Sequence, residues 1–449
     1  MLRRIGVLLA ALILALVSAP PAFAIEPPTI DPAALPPDET GPDQPTEQRR
    51  VCSAPTVFPG ANFADKPWAN DYLRIADAQK FATGEGVTVA VIDTGVNGSP
   101  RVPALPGGDF VDAGGNGMSD CDSHGTLTAS IIAGRPAPTD GFIGVAPDAR
   151  ILSLRQTSDN FQPTGSRSDP NDPNTTQTAG SLRSLARSIV HAANLGAQVI
   201  NISEAACYKI TRPINETGLG AAIEYAVNVK GAVVVVAAGN TGQDCNQNPP
   251  PDPSIPADPR GWKQVQTIVS PAWYSPLVLT VAGIAPNGQP STFSMSGPWV
   301  GAAAPAENIT ALGYDGNPVN ALQGQDGPVP INGTSFAAAY VSGLAALLKQ
   351  RFPDLTPAQI MNRITATSRH PGGGVDNYVG AGVIDPVAAL TWDVPPGPKT
   401  IPYKVKQLPP PVYVPPPDRG PITIVVITGA ALALILGIGA MARRALRRR

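Results

Sequence analysis

Histidine is scarce: the 449-residue chain holds three, His124, His191 and His370, which leaves few places for a neutral nitrogen base. Cysteine is also rare, with Cys52, Cys121, Cys207 and Cys245 only. None stands in a C-x-x-C pair, so the spacing argues against a zinc site and allows two disulfides in an exported protein. Charge of either sign is thin. Charged residues make up 15% of the chain and the net charge is −2, which offers no basic surface for nucleic acid. Internal repeats are absent. Proline, by contrast, is abundant: 52 residues, concentrated in the two flanks and in loops.

Both flanks point to export. Arg3 and Arg4 precede an apolar run over 5–17, and Ala22-Phe23-Ala24 supplies small residues for cleavage. This is the three-part pattern of a secretory signal peptide, placed at 1–24. Residues 422–441 carry no charge. As a helix they are long enough to cross a hydrocarbon core of about 30 Å. The basic tail 442–449 follows directly, and the positive-inside rule puts it in the cytoplasm and the bulk of the protein outside.

Residues 25 to 50 are rich in Pro, Asp, Glu and Thr without periodicity and read as an extended arm. Order is expected to resume near Cys52, with Trp68 and Tyr72 as packing anchors, so an N-terminal extension spans 25–72. From 73 to 393 strands and helices alternate. The apolar, β-branched run 86–92 ends at Asp93-Thr94-Gly95 and reads as a buried strand of a parallel sheet. Similar runs lie at 149–154, 197–202, 232–237 and 277–281, with helical segments at 124–133, 181–195 and 219–230. The alternation predicts an α/β domain with helices on both faces of its sheet and reactive groups at the strands' carboxyl ends. Two loops, 157–180 and 243–261, exceed what a compact domain needs. Later helices are expected from Ser335 to Leu348 and over 356–367. Proline dominates 394–421, an extended spacer before the apolar stretch.

Four short segments could carry chemistry. Ser335, in Gly333-Thr334-Ser335, opens an alanine-rich helix, where it can act as a cap or, given a base, as a nucleophile. His124 also starts an apolar helix, while His191 lies mid-helix and His370 sits in a glycine-rich turn. Asp93 ends a buried strand, as a turn former or as the carboxylate that orients a histidine. Asn240, after Ala237-Ala238-Gly239, is a polar turn or an oxyanion donor. Together they run Asp, His, Asn, Ser along the chain, and Asp…His…Ser is one of three known orders of the hydrolytic triad.

The blocks Val91-Ile92-Asp93-Thr94-Gly95, His124-Gly125-Thr126, Ala238-Gly239-Asn240 and Gly333-Thr334-Ser335 resemble the four signatures of subtilisin-like (S8) serine proteases. The likeness narrows to the mycosins, the membrane-anchored subtilases associated with type VII secretion. It covers almost the whole chain, including 41–49, Ser123–Ser130 and Asn201–Cys207. The sequence departs from general subtilases at Leu127, where a second histidine is usual, and at Phe336, where a methionine is. The resemblance implies a subtilisin-like three-layer fold with a mostly parallel central sheet, a wrap-around N-terminal extension and one C-terminal transmembrane helix. It implies a catalytic Asp93, His124 and Ser335, with Asn240 in the oxyanion hole. Ser203, Glu204 and Ala205 are expected to face Ala238 and Gly239 across the pocket for the residue before the scissile bond, with Glu204 disfavouring large apolar side chains. Cys207 and Cys245 fall near the ends of what would be neighbouring strands, so they are expected to pair, which leaves Cys52–Cys121. No metal or organic cofactor is required. Expected partners are a protein substrate, the type VII membrane complex and the membrane itself. A second reading makes the domain mainly a structural partner of that complex. A small-ester or peptidoglycan hydrolase is disfavoured, since it would want a Gly-x-Ser-x-Gly elbow and a histidine after the serine.

Overall fold

The computed structural model describes residues 25–164, 178–212, 214–242, 244–406 and 420–447. The expected signal peptide, the middle of the 157–180 loop and residues 407–419 of the spacer lie outside the described residues. The chain divides into two units, Met1–Lys406 and Gln407–Arg449.

The first unit is built on a seven-stranded sheet: β1 (Thr88–Asp93), β2 (Ala104–Asp109), β3 (Arg150–Arg155), β4 (Val199–Ile202), β5 (Val233–Ala237), β6 (Leu279–Ile284) and β7 (Val300–Pro305). Their order across the sheet is β7-β6-β5-β4-β1-β3-β2, and every pairing is parallel. All residues of β1, β4, β5 and β6 are buried, because helices cover the sheet and leave no solvated face. Helices α1 (His124–Ala133) and α4 (Thr334–Arg351) pack together in one layer, and α2 (Leu182–Asn194) and α3 (Thr217–Glu224) in another. The five strands and the helices expected from the sequence are all present. The two edge strands β2 and β7 were not expected: Ala104–Asp109 reads Ala-Leu-Pro-Gly-Gly-Asp and Val300–Pro305 is largely alanine, so neither shows a β-branched run.

Chain order and spatial order diverge at β1. The crossover through α1 returns to β3 on one side, and the next, through α2, enters β4 on the other. A crevice opens at such a switch point, outside the strands' carboxyl ends. Asp93 is the last residue of β1 and so lies at its floor.

Order begins well before Cys52, contrary to the expectation for the arm. Its acidic side chains and backbone find matched groups on the body. Asp38 Oδ1 meets His191 Nδ1 at 2.6 Å, and Asp43 Oδ1 accepts from the Arg187 guanidinium at 2.7 Å. Thr46–Gln48 pairs antiparallel with Phe161–Pro163, and Ile30 exchanges backbone hydrogen bonds with Lys404 and Lys406. His191 is thus an arm contact, while His370 is exposed. In the second unit, Gly420–Leu446 forms a 27-residue helix whose segment Ile427–Arg444 is long and apolar enough to cross a membrane.

Candidate active site

Three chain segments deliver their side chains to the crevice. Asp93 is fully buried, and its Oδ1 accepts the Thr94 backbone N–H and lies 2.7 Å from His124 Nδ1. His124 is the first residue of α1, and the preceding Ser123 holds a left-handed φ of 67° that turns the chain into the helix. The two segments approach so closely that a Cβ on Gly125 would lie 2.0 Å from the Gly95 carbonyl oxygen, which leaves glycine as the residue that fits. Phe336 packs against the imidazole, ring centroids 5.3 Å apart.

Asp120, which the sequence reading passed over, ties these segments together. One carboxylate oxygen accepts from Thr94 Oγ1 and the Asp122 N–H, the other from the N–H and hydroxyl of Thr126. Thr94 Oγ1 in turn accepts the Gly125 N–H at 2.9 Å. Burial pushes the Asp120 carboxyl up to about 6, against the pull of its hydrogen bonds. The signal for it was at hand: an aspartate four residues before the candidate histidine.

Ser335 is the second residue of α4 and is 5% exposed. It caps nothing. Its hydroxyl donates to the Ser203 carbonyl at 3.0 Å, and it makes no hydrogen bond to His124 in this free state. Asn240 stands beside it. Its Oδ1 accepts the Thr334 N–H at 3.0 Å and the Thr334 hydroxyl at 3.1 Å. A backbone N–H can only donate, so this contact identifies the amide oxygen and leaves the Nδ2 donors free.

Ser203, Glu204 and Ala205 follow β4; Ala237 ends β5 and Gly239 lies two residues beyond it. All five line a cleft of about 510 Å³ together with His124, Asn240 and Ser335. Ala238, expected on that wall, turns into the core instead: it is fully buried and its N–H donates to the Val281 carbonyl. Arg50, Asp122 and Asp159 also line the cleft, and the sequence reading named none of them as site residues. Both disulfides pair as expected, Cys52 with Cys121 and Cys207 with Cys245. The first joins the arm to the loop before His124. The second joins the segments after β4 and β5.

The electrostatics are concentrated around the imidazole. Burial alone would lower the pKa of His124, but the Asp93 carboxylate, with Glu204 and Asp120, overrides it and pushes it up to about 10. Burial, reinforced by the charge of Asp93, pushes Glu204 up to about 7. The arrangement offers an oriented base, a serine at a helix start and a free amide donor facing one cleft. This is the equipment for acyl transfer through a tetrahedral oxyanion.

Comparison with known proteins bears on this geometry. The family model described as "Subtilase family" matches residues 84–382. The chain is 80% identical to Mycosin-1 of Mycolicibacterium smegmatis over 448 residues, covering 100% of both. It is also similar to the solved structure of the serine protease MycP1, described as an essential component of the type VII (ESX-1) secretion system. That likeness has a TM-score of 0.80 at 84% identity, over 82% of this chain and 100% of the other. A chain of the intact ESX-5 inner membrane complex matches with a TM-score of 0.79 at 46% identity, over 93% of this chain and 99% of that one.

Proposed function

The chain belongs to the subtilase family, as one of its mycosins, and from that premise we propose that Asp93, His124 and Ser335 hydrolyse peptide bonds of a protein substrate. It is a subtilisin-like serine protease of type VII secretion, and it works in the membrane complex of such a system. The observation that carries the catalytic assignment is the 2.7 Å contact of His124 Nδ1 with a fully buried Asp93, in the same cleft as Ser335 and the free Asn240 amide.

Asp93 accepts the Nδ1 proton of His124, which leaves Nε2 as the base. An incoming substrate N–H takes over the Ser203 carbonyl and releases the Ser335 hydroxyl. A rotation of that side chain brings Oγ to His124, which removes its proton as Oγ attacks the peptide carbonyl. The Asn240 Nδ2 and the Ser335 N–H, at the positive end of α4, stabilise the oxyanion. The imidazolium then protonates the leaving amine, and water repeats the sequence to free the acyl group. Neutral donors on one side and a buried carboxylate on the other give each charge a fixed partner.

The protein is membrane-anchored with its protease domain on the periplasmic side. We assign the N-terminal extension to 25–72, the protease domain to 73–393, the anchor to 422–441 and a cytoplasmic tail to 442–449. The intact constellation favours catalysis over a purely structural role. The deciding experiment is Ser335→Ala in the full-length, detergent-solubilised protein. Loss of peptide cleavage with the fold retained supports the assignment, and undiminished cleavage overturns it.

A further inference from the structure

The corner of the cleft beside His124 carries more negative charge than peptide hydrolysis uses. Glu204 is half-buried, and its carboxylate takes no hydrogen bond or ion pair from any described residue. Ligand atoms of Glu204, Asp93 and His124 all lie within 4.8 Å of one another. Asp93 is fully buried, and its Oδ2 has no hydrogen-bond partner among the described residues. Asp122 and Asp159 line the cleft nearby, and their charges act on Glu204. The Asp122 oxygens are occupied by Ser158, Asn160 and the Asp159 N–H, whereas the exposed Asp159 carboxylate accepts no hydrogen bond from the described residues. Facing these groups are the His124 imidazole, the exposed Arg50 from the arm, and Arg155, which is buried and acts on Asp122.

We infer that this corner receives a cationic side chain of the substrate, a lysine or arginine two residues before the scissile bond, and that Glu204 selects it. The inference deepens the proteolytic reading and rests on it. In the proposed pose the substrate residue whose carbonyl is attacked sends its side chain between the two pocket walls, and the residue before it lies against the imidazole. The Glu204 carboxylate, expected on the first pocket's wall, is set beside His124 and so meets that second residue. An apolar side chain there leaves the Glu204 carboxylate desolvated and unpaired, and an acidic one adds repulsion. An ammonium or guanidinium supplies the missing partner. Its charge also opposes the imidazolium, which shifts His124 toward the neutral form that acts as base. Binding and proton transfer then favour the same substrates.

The test uses three matched, internally quenched peptides that carry lysine, norleucine or glutamate at that position, cleaved by the full-length protein in detergent. Norleucine keeps the length of lysine and removes its charge. The expected result for the wild type is a kcat/KM for lysine about tenfold above norleucine, with glutamate lowest, and a lysine preference that shrinks as salt is raised. In Glu204→Gln the lysine-to-norleucine ratio falls toward one, and in Glu204→Lys glutamate overtakes lysine. Each ratio is taken within one preparation, so a lower folded fraction does not alter it. Equal rates for lysine and norleucine in the wild type overturn the inference, as does a ratio unchanged in Glu204→Gln. Turnover of any of the peptides that is lost in Ser335→Ala upholds the protease assignment even when the preference fails. No turnover of any peptide overturns both.

Discussion

The two sides of the cleft handle charge in opposite ways. On one, Asp93, His124, Glu204 and Asp120 are titratable groups in close electrostatic contact, and the pKa values of Asp120, His124 and Glu204 are pulled far from ordinary ones. On the other, Asn240, Thr334 and Ser335 are neutral and held by hydrogen bonds between Asn240 and Thr334 and from Ser335 to the Ser203 carbonyl. A site that moves protons needs groups whose charge can change. A site that stabilises a transient oxyanion needs dipoles that do not titrate and are oriented beforehand. The covalent frame follows the division in part: Cys52–Cys121 braces the loop before His124, and Cys207–Cys245 braces the segments after β4 and β5, which carry Glu204 as well as Asn240.

Mutations that act on one side at a time sharpen the contrast. Ser335→Ala removes the nucleophile, and kcat/KM is expected to fall on the order of a millionfold in a fluorogenic peptide assay. Asn240→Ala removes only the oxyanion donor. It is expected to lower kcat by about 10²–10³-fold with KM little changed, since that donor acts mainly in the transition state. An equal loss in KM would break the contrast by making Asn240 a ground-state binder.

A weaker effect separates the two braces. Replacing Cys52 and Cys121 with serine is expected to cost about 2–4 kcal/mol of stability, read as a lower thermal midpoint. Because that bond spans 69 residues and Cys207–Cys245 spans 38, the first replacement should cost slightly more.

The smallest effect is a shift in pH dependence. His124 works as a base when neutral, so kcat/KM rises as pH rises through its pKa. A pKa held above the ordinary 6.5 places the acid limb of the profile above that value. Glu204→Gln withdraws a negative neighbour, destabilises the imidazolium and moves the limb to lower pH. Asn240→Ala is expected to leave it in place. A shift in the asparagine variant and none in the glutamine variant would reverse the assignment of the two sides.

Much of the fold was legible because its determinants are local. Buried parallel strands read as β-branched runs, and β1, β3, β4, β5 and β6 all fell where such runs lie. The edge strands β2 and β7 escaped because proline, glycine and alanine carry no strand signal, and their place is decided by the neighbour they pair with. The arm was expected to stay attached, but its order ahead of Cys52 escaped for a related reason. Its ordering depends on Asp38 and Asp43 meeting His191 and Arg187, residues 153 and 144 positions away.

Within the site, the identity and order of Asp93, His124, Asn240 and Ser335 were determined by the sequence alone. Each stands beside the small residues that a close approach of chain segments requires, and that pattern survives without coordinates. Only the tertiary structure decided how these groups are used: the Ser335 hydroxyl resting on the Ser203 carbonyl, Asp120 clamping Thr94 to Thr126, Ala238 turning inward, and Glu204 set beside His124 with no hydrogen-bond partner among the described residues. These depend on distances between residues far apart in the chain. Hydrogen bonding and electrostatic energy are functions of distance and burial, which only the folded chain supplies.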